Sequence, residues 1–198
     1  WLTCWLIKLG AEVVGISKDI PTNPSMFEDL KLESMIKHHK CDIRDFEKLS
    51  YIINLERPDV VFHLAAQAIV STSYDDPVET ITTNAIGTMN LMDILKDVSW
   101  PCSVVLITSD KSYDNVEWVW GYKETDILGG KDPYSGSKAS AEILVNSFVN
   151  SFFLDKKCIE NANIDEKRST NKIDKEVNNK LLINDVNSKS SDLLKILK

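Results

Sequence analysis

Two apolar runs constrain this chain more than anything else in it. Asp59-Val-Val-Phe-His-Leu-Ala65 and Ser103-Val-Val-Leu-Ile-Thr108 are short, continuous and β-branched. Strands of that kind are covered on both faces, as in a parallel sheet. Parallel neighbours need a crossover, and the intervening residues offer one: Ile81, Ala85, Thr88, Met92 and Leu95 form one helical stripe before Pro101. Upstream, Leu2, Trp5, Leu6 and Leu9 fall at i, i+3, i+4, i+7 and predict an amphipathic helix stopped by Gly10. Glu12–Ser17 predicts a short buried strand, and residues 28–36 and Asp45–Leu55 predict helices. Asp132-Pro-Tyr134 opens a long helix running through Ala141, Leu144, Val145, Phe148 and Phe152. Strands alternating with helices give an α/β fold, a doubly wound parallel sheet built from βαβ units.

Composition divides the chain at Phe153. All seven glycines, all six prolines and every aromatic residue precede that point, whereas residues 154–198 carry ten Lys/Arg and eight Asp/Glu among many Asn and Ser. We expect one α/β domain over 1–153 and a charged, low-complexity tail over 154–198, mostly disordered or marginally helical. A net charge of −7 gives no electrostatic grip on nucleic acid or an anionic membrane. No apolar run approaches the roughly 18 residues of a bilayer span. The opening WLTCWLIKLGAEVVG lacks a basic start and is interrupted by Lys8, so it does not read as a signal peptide. Cys4, Cys41, Cys102 and Cys158 have no CxxC pairing and there are three histidines, so we expect no metal site, and reduced thiols in a cytoplasmic protein.

The chemistry-bearing residues cluster at strand ends and one helix start. In Tyr134-Ser-Gly-Ser-Lys138 a spacing of four sets phenol and ammonium on one helix face. A cation beside a phenol favours the phenolate, which makes a tyrosine a usable general base. Thr108-Ser109-Asp110-Lys111 lies where a parallel strand ends, the place ligands bind in open α/β sheets. It reads equally as a polar turn with Asp110 as a cap. His63 in HLAAQ reads as a core histidine, and the small Ala65 and Ala66 before Gln67 let a ligand approach the backbone. Asn84 is a polar residue in an apolar helix, suited to a hydrogen bond with a neighbouring segment. Trp118, Trp120 and Tyr122 share a loop, either as a cover over a ligand or as plain packing.

Together, HLAAQ, the TSDK strand end and YSGSK, in that order, resemble the extended short-chain dehydrogenase/reductase family over residues 1–153. Within it, Ser109-Asp110-Lys111 resembles the signature of the 4,6-dehydratases. Asp-Lys, with EWVWGYKETDILGGKDPYSGSK and PTNPSMFEDL nearby, is similar to the branch acting on CDP-glucose. The resemblance implies a lyase with NAD as a transient hydride carrier. Tyr134, assisted by Lys138, would take the C4 hydroxyl proton and Ser109 would hold the C4 oxygen. Lys111 would act at C5, which requires a neutral amine that burial could supply, and Asp110 would protonate the departing C6 hydroxyl. Asp42 and Ile43 would lie beside the adenine, Ala65, Ala66 and Gln67 would line the cofactor with Tyr134 and Lys138, and Asn84 would support the site. A nucleotide-sugar substrate, a homodimer and a place in bacterial cell-surface deoxysugar synthesis are further implications.

Three departures qualify that resemblance. The family's acidic residue after the second strand, which holds the adenosine ribose, aligns with Ser17. The chain begins with Trp1, inside or just before the first helix, so the first strand and its glycine-rich turn are expected to be absent. The tail does not resemble the relatives' smaller domain. A catalytically dead fragment of such an enzyme, and an epimerase or reductase using the same Tyr-Lys pair, are the alternatives.

Overall fold

A computed structural model of the protein describes residues 1–154. The chain divides into two units, Trp1–Arg57 and the part from Pro58 onward. The expected tail lies, from residue 155 on, outside the described residues.

In the first unit, α1 (Leu2–Lys8) ends at Gly10, whose φ of 85° only glycine adopts without strain. It is followed by β1 (Val14–Ser17), α2 (Met26–Asp29), β2 (Lys37–Lys40) and α3 (Phe46–Glu56). β1 and β2 pair in parallel, with Val14 opposite Lys37 and Ser17 opposite Lys40. Leu32, Cys41, Ile43, Leu49, Ile52 and Ile53 form the core. Ser25 caps α2 by accepting the Glu28 N–H, and Asp45 caps α3 by accepting that of Lys48. The single helix expected over 28–36 is two pieces. α2 stops, Lys31 takes a left-handed φ of 51°, and a 3₁₀ turn follows at Leu32–Ser34.

The second unit carries β3 (Val60–His63), α4 (Val70–Asp75), α5 (Pro77–Ile81), α6 (Gly87–Leu95), β4 (Ser103–Leu106) and α7 (Pro133–Phe148). β3 and β4 pair in parallel from Val60 opposite Ser103 to His63 opposite Leu106. The Trp100 indole N–H donates to the Pro58 carbonyl at 3.0 Å, pinning the start of this pair. α5 and α6 are joined without a break by a π-helical turn, Thr82–Ile86, and both pack against α7. Met92 and Val104 are fully enclosed, each such burial contributing about 1.5–3 kcal/mol.

The expected stripe on this helix is only partly buried. Ala85, Thr88, Met92 and Leu95 face inward, but Ile81 is exposed and Thr80 is enclosed in its place. The reason is the π turn, whose extra residue rotates the helix before it out of phase with the helix after it. No helix among the described residues is long and apolar enough to cross a membrane. No group of three or more His, Cys, Asp or Glu able to hold a metal ion occurs among them either.

Candidate active site

The start of α7 is built to hold two polar side chains out of water. Asp132 caps the helix, accepting the Ser135 N–H at 2.9 Å and the Ser135 hydroxyl at 2.6 Å, and Pro133 takes the first helical position. Tyr134 and Lys138, four residues apart, are both buried, at 8% and 7% exposure. The Tyr134 hydroxyl and the Lys138 ammonium make no hydrogen bond or ion pair to any described residue. Burial pushes the Lys138 pKa below its ordinary value, and the Glu142 carboxylate one turn on only partly offsets that.

The strand-end segment lies against this helix. Beyond β4 the Ile107 N–H still reaches the His63 carbonyl, and Ser109 then turns the chain. Its hydroxyl accepts the Lys111 N–H and donates to the Asp110 carboxylate, both at 3.2 Å, so Ser109, not Asp110, caps the 3₁₀ turn at Asp110–Ser112. That turn packs on α7. Burial pushes the Asp132 carboxyl up, but the Ser135 hydroxyl, the N–H groups of Ser135 and Tyr134 and the charge of Lys111 together bring it below its usual value. Lys111 and Asp110 are both exposed.

Asn84 joins three segments at the bottom of this arrangement. From within the π turn its Oδ1 accepts the Gln67 N–H at 2.8 Å, and its Nδ2 donates to the Gln67 carbonyl at 3.0 Å and to the Ser137 hydroxyl at 2.9 Å. Ser137 passes its own proton to the Tyr134 carbonyl at 2.6 Å. Gln67 adds a bond from its side-chain amide to Thr80. Ala65 and Ala66, half-buried, lead from β3 into this corner. The backbone that Asn84 meets is that of Gln67, in the loop after β3 rather than in the neighbouring strand itself.

His63 behaves as a core residue. The Thr88 hydroxyl spends its proton on the Asn84 carbonyl at 2.7 Å and must accept from His63 Nε2 at 2.9 Å, which fixes the Nε2–H tautomer. Burial, with a smaller push from the charge of Lys138, lowers the His63 pKa to about 4. Asp42 and Ile43 belong to the first unit, directly after β2. Asp42 is held by Arg44 through Nε at 3.0 Å and Nη2 at 2.6 Å, and this bidentate bond keeps its carboxyl below the usual range. Ser17, at the end of β1, shares a hydrogen bond of 2.8 Å with His38.

The sequence profile of the family described as GDP-mannose 4,6 dehydratase matches residues 1–188. The chain belongs to this family. It is 51% identical over 153 residues to the CDP-glucose 4,6-dehydratase of Salmonella typhimurium, a match covering 77% of this chain and 43% of the relative. Among solved structures, a UDP-glucose 4-epimerase of Thermotoga maritima superposes with a TM-score of 0.67 at 26% identity, covering 77% of this chain and 48% of that one. A UDP-glucuronic acid 4-epimerase of Bacillus cereus, in complex with UDP-glucuronic acid and NAD, gives 0.64 at 28% identity over 77% and 49%. The chain thus spans less than half the length of these relatives.

Within this member of the dehydratase family, three features escaped sequence reasoning. Ser137, the most enclosed residue of α7, carries the link from Asn84 to the Tyr134 backbone. The π turn that presents Asn84 has no sequence signature, although such turns gather at functional sites. Gly130 approaches α7 so closely that a Cβ there would lie 2.5 Å from the Gly136 nitrogen. The glycine pair before Asp132 was the available signal.

Proposed function

We propose that the chain is the NAD-binding and catalytic half of a nucleotide-sugar 4,6-dehydratase acting on CDP-glucose. One observation carries this reading. Tyr134 and Lys138 are buried residues on one helix, their hydroxyl and ammonium making no hydrogen bond to a described residue, against the turn bearing Ser109, Asp110 and Lys111. Neither polar end is sealed off, since Thr83 Oγ1 is the one enclosed unpartnered side-chain atom among the described residues, so both are open to a bound molecule. The relative at 51% identity is named for this reaction and this substrate.

The same two groups fit the polar edge of a nicotinamide cofactor, since Lys138 offers donors and Tyr134 both donor and acceptor. Gln67, with Ala65 and Ala66, would line that cofactor on the side fixed by Asn84. Bound NAD would supply a hydride acceptor for sugar C4 and a donor for C6, C5 regaining a proton as C6 is reduced, so the reaction would have no net redox change. The Lys138 cation favours the phenolate of Tyr134, the form that would accept the C4 hydroxyl proton. Ser109 holds the C4 oxygen. The C4 ketone acidifies C5, Lys111 takes that proton, and Asp110 delivers one to the departing C6 hydroxyl.

Incubating the intact enzyme that carries this half with CDP-glucose and NAD in deuterium oxide tests the reading, and the 198-residue chain alone is expected to give no product. The expected product is lighter by one water and carries deuterium at C5, and Tyr134→Phe abolishes it. Two of the superposing structures are 4-epimerases, which supports a second reading, an epimerase using the same Tyr-Lys pair. A product of unchanged mass selects it. Exposed Val78, Ile81, Ile86 and Ile143 on α5, the π turn and α7 support a homodimer, which sedimentation would detect. A cytoplasmic place in deoxysugar synthesis follows from the substrate.

A further inference from the structure

The first unit holds a pair of polar side chains that the chemistry proposed for the second does not use. β1 ends on Ser17, and its register with β2 sets Gly15 opposite His38 and Ser17 opposite Lys40. Side chains alternate across a strand, so Ser17, His38 and Lys40 share one face. Lys37 and His39, on the other face, are taken by Glu56 of α3. The His38 ring is fixed in place. Gly15 has no side chain to obstruct it, a Cβ there lying 3.6 Å from His38 Cδ2, and the Phe27 ring leans on it with centroids 4.9 Å apart. His38 Nε2 thereby meets the Ser17 hydroxyl at 2.8 Å. Both residues are half-buried, so a bound molecule can reach them.

Position gives the pair its meaning. Ser17 closes a parallel strand, and ligands of open α/β sheets bind outside such strand ends. In dinucleotide folds the acidic side chain aligned with this place holds the 2′-hydroxyl of the adenosine ribose. A carboxylate only accepts hydrogen bonds, so it takes a 2′-hydroxyl and repels a 2′-phosphate. A serine hydroxyl does both. When neutral His38 accepts the Ser17 proton, the Ser17 oxygen keeps a lone pair for the ribose hydroxyl. When the Nε2–H tautomer donates instead, the Ser17 proton is released to a phosphate oxygen. The exchange needs no change of charge. Nor do the surroundings oppose an anion. Lys18 follows Ser17, Lys40 stands opposite it and Arg44 grips Asp42, so three cations stand against the carboxylates of Asp19 and Asp42.

We propose that the Ser17–His38 pair makes this protein indifferent to a phosphate on the adenosine 2′-oxygen, so that NADP binds as well as NAD. The inference rests on the dinucleotide-cofactor reading above and concerns the adenosine end alone. It makes Ser17 the residue that sets cofactor specificity and His38 the residue that orients it.

The test is calorimetry of the intact enzyme that carries this half, stripped of bound cofactor and titrated with NAD and with NADP. The expected result is that the two dissociation constants agree within about tenfold. A larger preference for NAD overturns the inference and leaves the dehydratase reading standing, since NAD then still binds. If neither dinucleotide binds, both fall together. This comparison needs no variant, so it decides the question even where a substitution disturbs folding. Ser17→Asp then restores an acceptor-only side chain and weakens NADP relative to NAD by about a hundredfold or more. Asn54→Asp, the same charge added at an exposed position of α3 across the sheet, leaves the ratio as it was. An unchanged ratio in Ser17→Asp shows that this side chain does not meet the ribose, and the inference is overturned. His38→Phe keeps a ring against Phe27 but can neither give nor take a proton. It weakens both cofactors by about fivefold, the worth of one hydrogen bond, and full binding by that variant overturns the role of the pair.

Discussion

Replacing Asn84 by alanine tests whether one side chain ties β3, the α5–α6 helix and α7 together. The substitution removes three hydrogen bonds, two to the backbone of Gln67 and one to Ser137. Asn84 is 2% exposed, so water does not readily replace them. At about 1 kcal/mol net for each bond the loss is about 3 kcal/mol, and stranded groups around Gln67 add to it. A domain of this size has only about 5–15 kcal/mol to lose. With a urea dependence of about 2 kcal/mol per molar, the unfolding midpoint falls by about 1.5 M. Asn84→Asp separates polarity from volume. It keeps the acceptor for the Gln67 N–H but turns oxygen towards the Gln67 carbonyl, so it destabilises despite its near-identical shape. Ser137→Ala costs less, about 1 kcal/mol, because it strands a single Asn84 N–H and the Tyr134 carbonyl keeps its helical surroundings. Equilibrium urea unfolding followed by circular dichroism reads all three. Midpoints of Asn84→Ala and Asn84→Asp within about 0.3 M of the parent would refute the reasoning.

Three further outcomes are expected. His63 has a folded pKa near 4 against 6.5 when unfolded, so between those values the unfolded chain binds more protons. Stability is then full above pH 6.5 and falls towards pH 4 by up to roughly 3 kcal/mol. His63→Gln flattens that limb in melts taken across the window, and an unaltered limb would show that other groups cause it. The Thr83 hydroxyl is buried without a partner in the π turn, so Thr83→Val, nearly isosteric, raises the urea midpoint by an amount worth about 1 kcal/mol. A lower midpoint would mean that the hydroxyl is satisfied in solution. Lys138→Met removes a cation whose pKa is lowered chiefly by burial, so the ligand-free chain becomes more stable at neutral pH while NAD binding, read by calorimetry, disappears. A destabilised Lys138→Met chain would show that the ammonium has a partner within the protein.

How legible each element is in the sequence depends on the force that forms it. β1, β3 and β4 lie inside the runs that hydrophobic patterning marks, because burial forms them. β2 escapes that pattern because Lys37-His38-His39-Lys40 contains no apolar residue. It is held by its parallel partner, by the bond of Ser17 to His38, and by Glu56 of α3, which pairs with both Lys37 and His39. α4, with its Ser-Thr-Ser sequence, is likewise invisible to a search for apolar stripes. Where local geometry overrides pattern, the pattern misleads, as at Lys31 and at the π turn that sends Ile81 outward.

The site divides along the same line. Tyr134 and Lys138 are legible because helix periodicity alone brings residues four apart onto one face. Ser109 is legible as the residue ending a strand. Ser137 is not, since its role depends on Asn84, 53 residues away in the chain, and no local rule relates the two. Only the fold reveals that the hydroxyl between the tyrosine and the lysine of YSGSK points the other way, into the protein. There it connects the Tyr134 backbone to the π turn and, through Asn84, to the loop after β3. The buried hydrogen-bond chain fixes the helix from behind, which leaves the Tyr134 hydroxyl and Lys138 ammonium in front unpaired. A helix tethered on its inner face by Ser137 can hold such a pair in place without spending either group on the tether.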